Sequence, residues 1–190
     1  MTRDNLTTTF KPMREVDERV FDAVASWHSP LLDGTMPELS VVATKSRLWM
    51  GIAALLAIFG GAKGRRTAIE GMVAIGANSF VVNIPLKSAV RRKRPTDEVP
   101  EERRLAKPDS YSFPSGHTAS AAAFSGVVGR AYPKLWLPIN ALAAMVGFSR
   151  VYTGVHFPGD VLDGWIVGRG VAFVVNRVAI RRGLAPTQVD

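Results

Sequence analysis

From Leu48 to Ala62 the chain carries no charged side chain, and after the basic step Lys63-Gly64-Arg65-Arg66 a second apolar run, Thr67 to Leu86, contains only Glu70. Extended back to Thr44, the first run is long enough to cross a thin bilayer if tilted. A third run, Pro114 to Tyr132, is crowded with small residues from Ala119 to Gly126. Pro133-Lys134 separates it from a fourth, Leu135 to Phe148, and a fifth extends from about Phe157 to Ile180. The pattern predicts an all-α fold, an integral membrane helical bundle of about five spanning helices. Gly164-x3-Gly168 in the fifth run, and Gly71, Gly76 and Ala77 in the second, are expected to let neighbouring helices approach closely.

Upstream the texture differs. Val16, Val20, Phe21 and Val24 recur at helical spacing among Glu15, Asp17, Glu18 and Asp22, which predicts an amphipathic helix. Ser29, Pro30, Asp33 and Gly34 are expected to break it before a second short amphipathic piece from Met36 to Ala43. Lys87 to Phe113 is polar, Pro-containing and rich in both charge signs, and reads as a loop. The expected organisation is an amphipathic N-terminal segment (1–46), a helical domain (47–182) and a polar tail (183–190). The first residues lack a basic start followed by an apolar run, so no cleavable signal peptide is expected.

Composition narrows the partners. A net charge of +8 suits nucleic acid, anionic lipid or an anionic substrate. No aromatic-basic alternation or helix-turn-helix cue appears, which argues against nucleic acid. The absence of cysteine excludes disulfides and thiolate metal sites. No carboxylate cluster calls for a metal, and no cofactor is implied. The mean hydropathy of +0.10 keeps a soluble all-helical domain in contention, against which stand the uncharged runs and their basic punctuation. Arg169 within the fifth run is expected to face the bundle or to snorkel.

The chemistry lies in three stretches: Lys87-x6-Arg94-Pro95, Pro114-Ser115-Gly116-His117 and Ser149-Arg150-x5-His156-x3-Asp160. With short antiparallel connections, all three fall at helix ends on one face of the bundle. Lys87, Arg94 and Arg150 can hold non-bridging phosphate oxygens, whereas Arg91, Arg92 and Lys93 are expected to be solvated or to face headgroups. Pro114 suits the first position of a helix, so that Ser115 and Gly116 form a phosphate cradle of hydroxyl and backbone donors at a positive helix end. Asp160, in the first turn of the next helix, can hold one imidazole nitrogen of His156 and leave the other free to attack phosphorus. His117 is placed to act as general acid and then base.

These motifs match, in identity and spacing, the signature of the type 2 phosphatidic acid phosphatase family, and the resemblance extends from about Leu48 to the end of the fifth helix. It implies a metal-independent phosphatase with His156 as nucleophile, Asp160 as its partner and His117 as acid and base. Phosphate contacts are implied for Lys87, Arg94, Ser115, Gly116 and Arg150. Integral members commonly have six spanning helices, and here the first is missing or replaced by the amphipathic stretch. The expected substrate is a membrane lipid phosphate: phosphatidate, phosphatidylglycerophosphate, an isoprenyl phosphate or diphosphate, or a prenyl-linked phosphosugar. The expected location is the cell membrane. Vanadium haloperoxidases resemble the same signature, so vanadate-dependent halide oxidation is a competing function, as are hydrolysis of small phosphate esters by a soluble-type acid phosphatase and lipid binding without catalysis.

Overall fold

The computed structural model describes residues 11–95, 99–106 and 109–182, with side chains from Arg14 onward. The expected polar tail and the loop residues Asp97, Glu98 and Lys107 lie outside them. The described chain is all-α: α1 (Lys11–Ala25), α2 (Pro30–Val42), α3 (Arg47–Phe59), α4 (Gly61–Val90), α5 (Gly116–Ala131), α6 (Trp136–Tyr152) and α7 (Pro158–Arg181).

The centre of the bundle is α5. Its Ala119, Ala121, Ala122 and Ala123 are fully buried, and small side chains let α4, α6 and α7 close around it. Where large groups fit, they interlock: Trp49 of α3 packs on Phe124 of α5 with ring centroids 5.5 Å apart, beside Val128, Ala143 and Val146. The α5–α7 contact is closest. A Cβ on Gly164 would stand 2.6 Å from the Ser115 carbonyl oxygen, and one on Gly168 would stand closer still to that of Ala119. Both are backbone atoms that cannot swing aside. Gly168→Ala is therefore expected to cost about 1–3 kcal/mol, read as a lower thermal midpoint in detergent. Gly170→Ala, with nothing within 4 Å of the new Cβ, is the silent control.

In α4 the same reasoning separates Gly71, whose Cβ would meet the Phe124 ring at 2.7 Å, from Gly76, which borders open space. Gly76 and Ala77 lie on the exposed face, contrary to expectation. That outer surface carries Leu55, Ile58, Phe59, Ile69, Phe80, Leu137, Leu162, Ile166 and Phe173, all well exposed. So continuous an apolar belt matches hydrocarbon rather than water. By length and hydropathy α4 qualifies as a span on its own, and Pro30–Val42 with Thr44–Phe59 qualify together across a 62° bend. α5 and α6, at 16 and 17 residues, are short for a span, while α7 carries Asp160, Asp163 and Arg177 as well as Arg169, which lies over Gly126 and stacks on Trp165 at 5.4 Å. Opposite the candidate site, Arg130 joins Glu70 (2.7 Å) and Asn176 (2.8 Å), tying together the far ends of α4, α5 and α7.

Several boundaries differ from those the pattern predicts. The expected break after α1 falls at Ser26–Ser29, and Pro30 begins α2, because its fixed φ and missing N–H suit the first turn, so that Asp33 and Gly34 lie inside that helix. The expected loop at Lys87 is still helix: α4 accommodates Pro85 by widening into a π turn over Val82–Leu86 and runs on to Val90, ending at left-handed Arg91.

Candidate active site

The ends of α4, α5 and α6 and the segment leading into α7 enclose a cavity of about 230 Å³. Lys87, Arg94, Gly116, His117, Arg150 and His156 line it, with Asn78, Asn83, Lys45 and Ser46 around the remaining wall. Six of the eight predicted site residues thus share one cavity. Ser115 and Asp160 stand directly behind it, both fully buried.

Ser115, not Pro114, begins the local structure. Its side-chain oxygen caps α5 by accepting from the Thr118 N–H (3.4 Å) and hydroxyl (3.0 Å), and α5 starts at Gly116. Serine at the cap satisfies an otherwise orphaned donor, which outweighs placing proline at the first helical position. The Ser115 hydroxyl keeps its own proton to donate. Its N–H bonds the Asp160 carbonyl (2.9 Å), joining the starts of α5 and α7. At Gly116 a Cβ would approach only Val82, at 3.8 Å, so the space a side chain would take belongs to the cavity.

His156 is 2% exposed and precedes α7, whose first residue is Pro158. Its Nε2 lies 3.1 Å from Arg94 Nη1. Arginine only donates, so Nε2 accepts and the imidazole proton sits on Nδ1. Nδ1 faces the Ser112 hydroxyl (3.3 Å) and Asp160 Oδ2 (3.5 Å), and the Ser112 hydroxyl itself donates to that carboxylate oxygen. Burial pushes the His156 imidazole down to about 4, with the Asp160 hydrogen bond opposing and the Arg94 and Arg150 charges adding to the depression. At neutral pH the ring is uncharged, and its Nε2 lone pair accepts from Arg94, which lines the cavity with it.

The cations are held by the chain itself. Arg94 donates to the carbonyls of Val155 (2.9 Å), Ser110 (3.0 Å) and Tyr111 (3.3 Å), and burial lowers its pKa from the ordinary value while Asp160 acts in the other direction. Lys87 reaches the Ser110 hydroxyl at 3.1 Å. Arg150 bonds the Ser40 hydroxyl through Nη1, linking α6 to α2. Seven buried side-chain polar atoms among the described residues lack a hydrogen-bond partner. Three of them, Arg150 Nε, His117 Nε2 and Asn78 Oδ1, belong to cavity-lining residues.

Three contributors are not legible in the sequence pattern. Arg92, expected to be solvated, bonds Asp160 Oδ1 at 3.2 Å and Asp17 Oδ2 at 2.5 Å, and stacks on Phe157 at 4.1 Å. Asp17 also accepts the Gly159 N–H at 2.6 Å. Ser112 sits in a loop with no periodic signal. Elsewhere in that loop, Arg103 is fully buried, donating to the Ala25 and Trp27 carbonyls and stacking on Tyr152 at 4.3 Å.

In this helical membrane bundle an uncharged imidazole, three cations, a helix N-terminus and a second histidine meet at one cavity, a set of groups suited to a tetrahedral oxyanion. Residues 68–183 match the PAP2 superfamily, and the chain belongs to that family. It is 34% identical to an undecaprenyl-diphosphatase of Sulfolobus acidocaldarius over 149 residues, 75% of this chain and 68% of the relative. A decaprenylphosphoryl-5-phosphoribose phosphatase of Mycobacterium tuberculosis is 36% identical, over 65% of this chain and 70% of the relative. Among solved structures, Aquifex aeolicus LpxE aligns with a TM-score of 0.70 at 26% identity, covering 85% of this chain and 95% of that one. The transmembrane PAP2-type phosphatidylglycerolphosphate phosphatase of Bacillus subtilis aligns at 0.71 over 97% and 94%; at 23% identity this likeness establishes the fold.

Proposed function

We propose that this chain removes a phosphoryl group from a membrane lipid through a phosphohistidine on His156. The observation that carries the reading is the His156 ring, with Nε2 toward the cavity and its proton directed to Ser112 and Asp160. As substrate binds, Arg94 Nη1 turns from Nε2 to a phosphoryl oxygen. The Nε2 lone pair then attacks phosphorus, the bond to the lipid oxygen breaks, and His117, which takes up a proton from solvent as the phosphate dianion binds beside it, protonates that leaving oxygen. His117 next takes a proton from water, whose oxygen attacks phosphorus; the P–N bond breaks, inorganic phosphate leaves and His156 regains its lone pair. Lys87, Arg94, Arg150, the Ser115 hydroxyl and the Gly116 N–H hold the non-bridging oxygens. Each such donor is worth about 10²–10³ in rate.

Among lipid phosphates the cavity favours a diphosphate. Lys45 adds a fourth cation to Lys87, Arg94 and Arg150, and among the described residues no Asp or Glu lines the wall. One phosphoryl dianion leaves much of that charge unmatched. Lys45 and Ser46 are also held in left-handed backbone, φ 53° and 60°, a cost to non-glycine residues that supports a functional reason for presenting them here. The undecaprenyl-diphosphatase relative agrees with this choice. Phosphate release from prenyl diphosphate and prenyl monophosphate micelles tests it: Lys45→Met is expected to lower kcat/KM about tenfold on the diphosphate and little on the monophosphate. Equal losses on both would overturn the diphosphate reading.

A further inference from the structure

We propose that Arg92 and Asp17 are positioning residues of this reaction, through which the N-terminal helix α1 fixes the carboxylate that orients His156. The inference rests on the phosphohistidine reading and concerns residues outside the three signature stretches' chemical positions. Asp160 Oδ2 is held by the Ser112 hydroxyl and by the Phe157 N–H at 3.0 Å. Oδ1 has one contact among the described residues, the Arg92 guanidinium at 3.2 Å. Without it Oδ1 is left buried with no donor among the described residues, and only the Oδ2 contacts remain to hold the carboxylate that faces Nδ1. Arg92 acts a second time through its backbone: its carbonyl accepts the Ser112 N–H at 2.8 Å, placing the hydroxyl between His156 Nδ1 and Asp160. One residue thereby supports both groups beside the nucleophile.

Arg92 is itself fixed from α1. Asp17 takes the other guanidinium nitrogen on Oδ2 and the Gly159 N–H on Oδ1, so one carboxylate spans the loop and the first turn of α7. A Cβ at residue 159 would stand 3.0 Å from Asp17 Oδ2, so glycine there admits the close approach. The clip is completed by Phe21, packed edge-to-face on Phe157 at 5.4 Å, and by the Phe157 ring beneath the Arg92 guanidinium. A planar cation bridging two carboxylates is a geometry that lysine, a single point donor, reproduces poorly.

The test uses the full-length protein in detergent with a prenyl diphosphate, measuring kcat, KM and the amplitude of the acid-labile phosphoenzyme burst. Asp17→Asn, Arg92→Met, Arg92→Lys and the Asp17→Asn/Arg92→Met pair are compared. Arg92→Met is expected to lower kcat about 30-fold and Asp17→Asn about tenfold, with KM within twofold of wild type. The double variant is expected to be no slower than Arg92→Met, because both act along one chain of contacts. Arg92→Lys is expected to recover only part of the rate. Wild-type kcat in the single variants, multiplicative losses in the double, or losses that vanish once rates are normalised to the folded protein recovered by size-exclusion chromatography would each overturn the proposal, the last by showing only lost folded protein. Failure of the phosphohistidine reading would look different, since wild type would then form no phosphoenzyme at all.

Discussion

His156→Ala is expected to release no inorganic phosphate above the buffer blank, a loss of about 10⁴-fold or more. The size follows from what the ring does in the proposed reaction. Nε2 faces the cavity with its lone pair, and burial down to about 4 keeps it uncharged without help from any other base. The remaining groups, Lys87, Arg94, Arg150 and His117, can still gather the substrate and polarise it, so binding should persist while turnover stops. Wild-type enzyme quenched during turnover should carry phosphate stable to alkali and labile to acid, as expected of a phosphoramidate, and the variant should carry none. Full activity in His156→Ala would remove the mechanism altogether.

Asp160→Asn is expected to slow turnover by about 10³–10⁴-fold and to move the acid limb of kcat/KM to lower pH. The rate effect arises because an amide can present its NH2 to the Ser112 hydroxyl and so disfavour the tautomer with the proton on Nδ1. The pH effect has a determined sign. Asp160 raises the His156 pKa against burial and against the charges of Arg94 and Arg150. Removing that negative charge lowers the pKa further, and the ring stays neutral to more acid pH. Wild-type kcat/KM, which reports the free enzyme, should fall as pH drops through about 4, and the variant's at lower pH still. A limb moving toward neutral pH would contradict the orientation role. Arg94 and Arg150, with His117 and Lys87 across the cavity, are unchanged in the variant, so the shift isolates Asp160.

The gross architecture is legible because apolar runs and basic punctuation follow from the same requirement, the burial of backbone and side chains away from water. Motifs placed where those runs end must meet when consecutive helices are antiparallel, and six of the predicted residues share the cavity for that reason. What the pattern conceals is local competition and long-range pairing. Ser115 displaces Pro114 as the helix start because a side-chain cap outweighs a preset φ. Pro85 leaves α4 intact because a π turn absorbs its clash. Arg92 looks like its neighbours Arg91 and Lys93, and only the fold, by bringing Asp17 and Asp160 to either side of it, distinguishes them. Ser112 has no periodicity or partner in sequence; its role appears only when the Arg92 carbonyl fixes its N–H.

The glycine contacts beneath the site have a mechanical consequence. Gly164 and Gly168 bring α7 onto the carbonyls of Ser115 and Ala119, and the Ser115 N–H returns a hydrogen bond to Asp160. The first turns of α5 and α7 therefore form one stiff beam, held backbone to backbone at Ser115 and Ala119. A thinner or more crowded bilayer tilts such a beam as a whole. The two helix starts are then expected to move together, so that the spacing between Ser115 and Asp160 changes little.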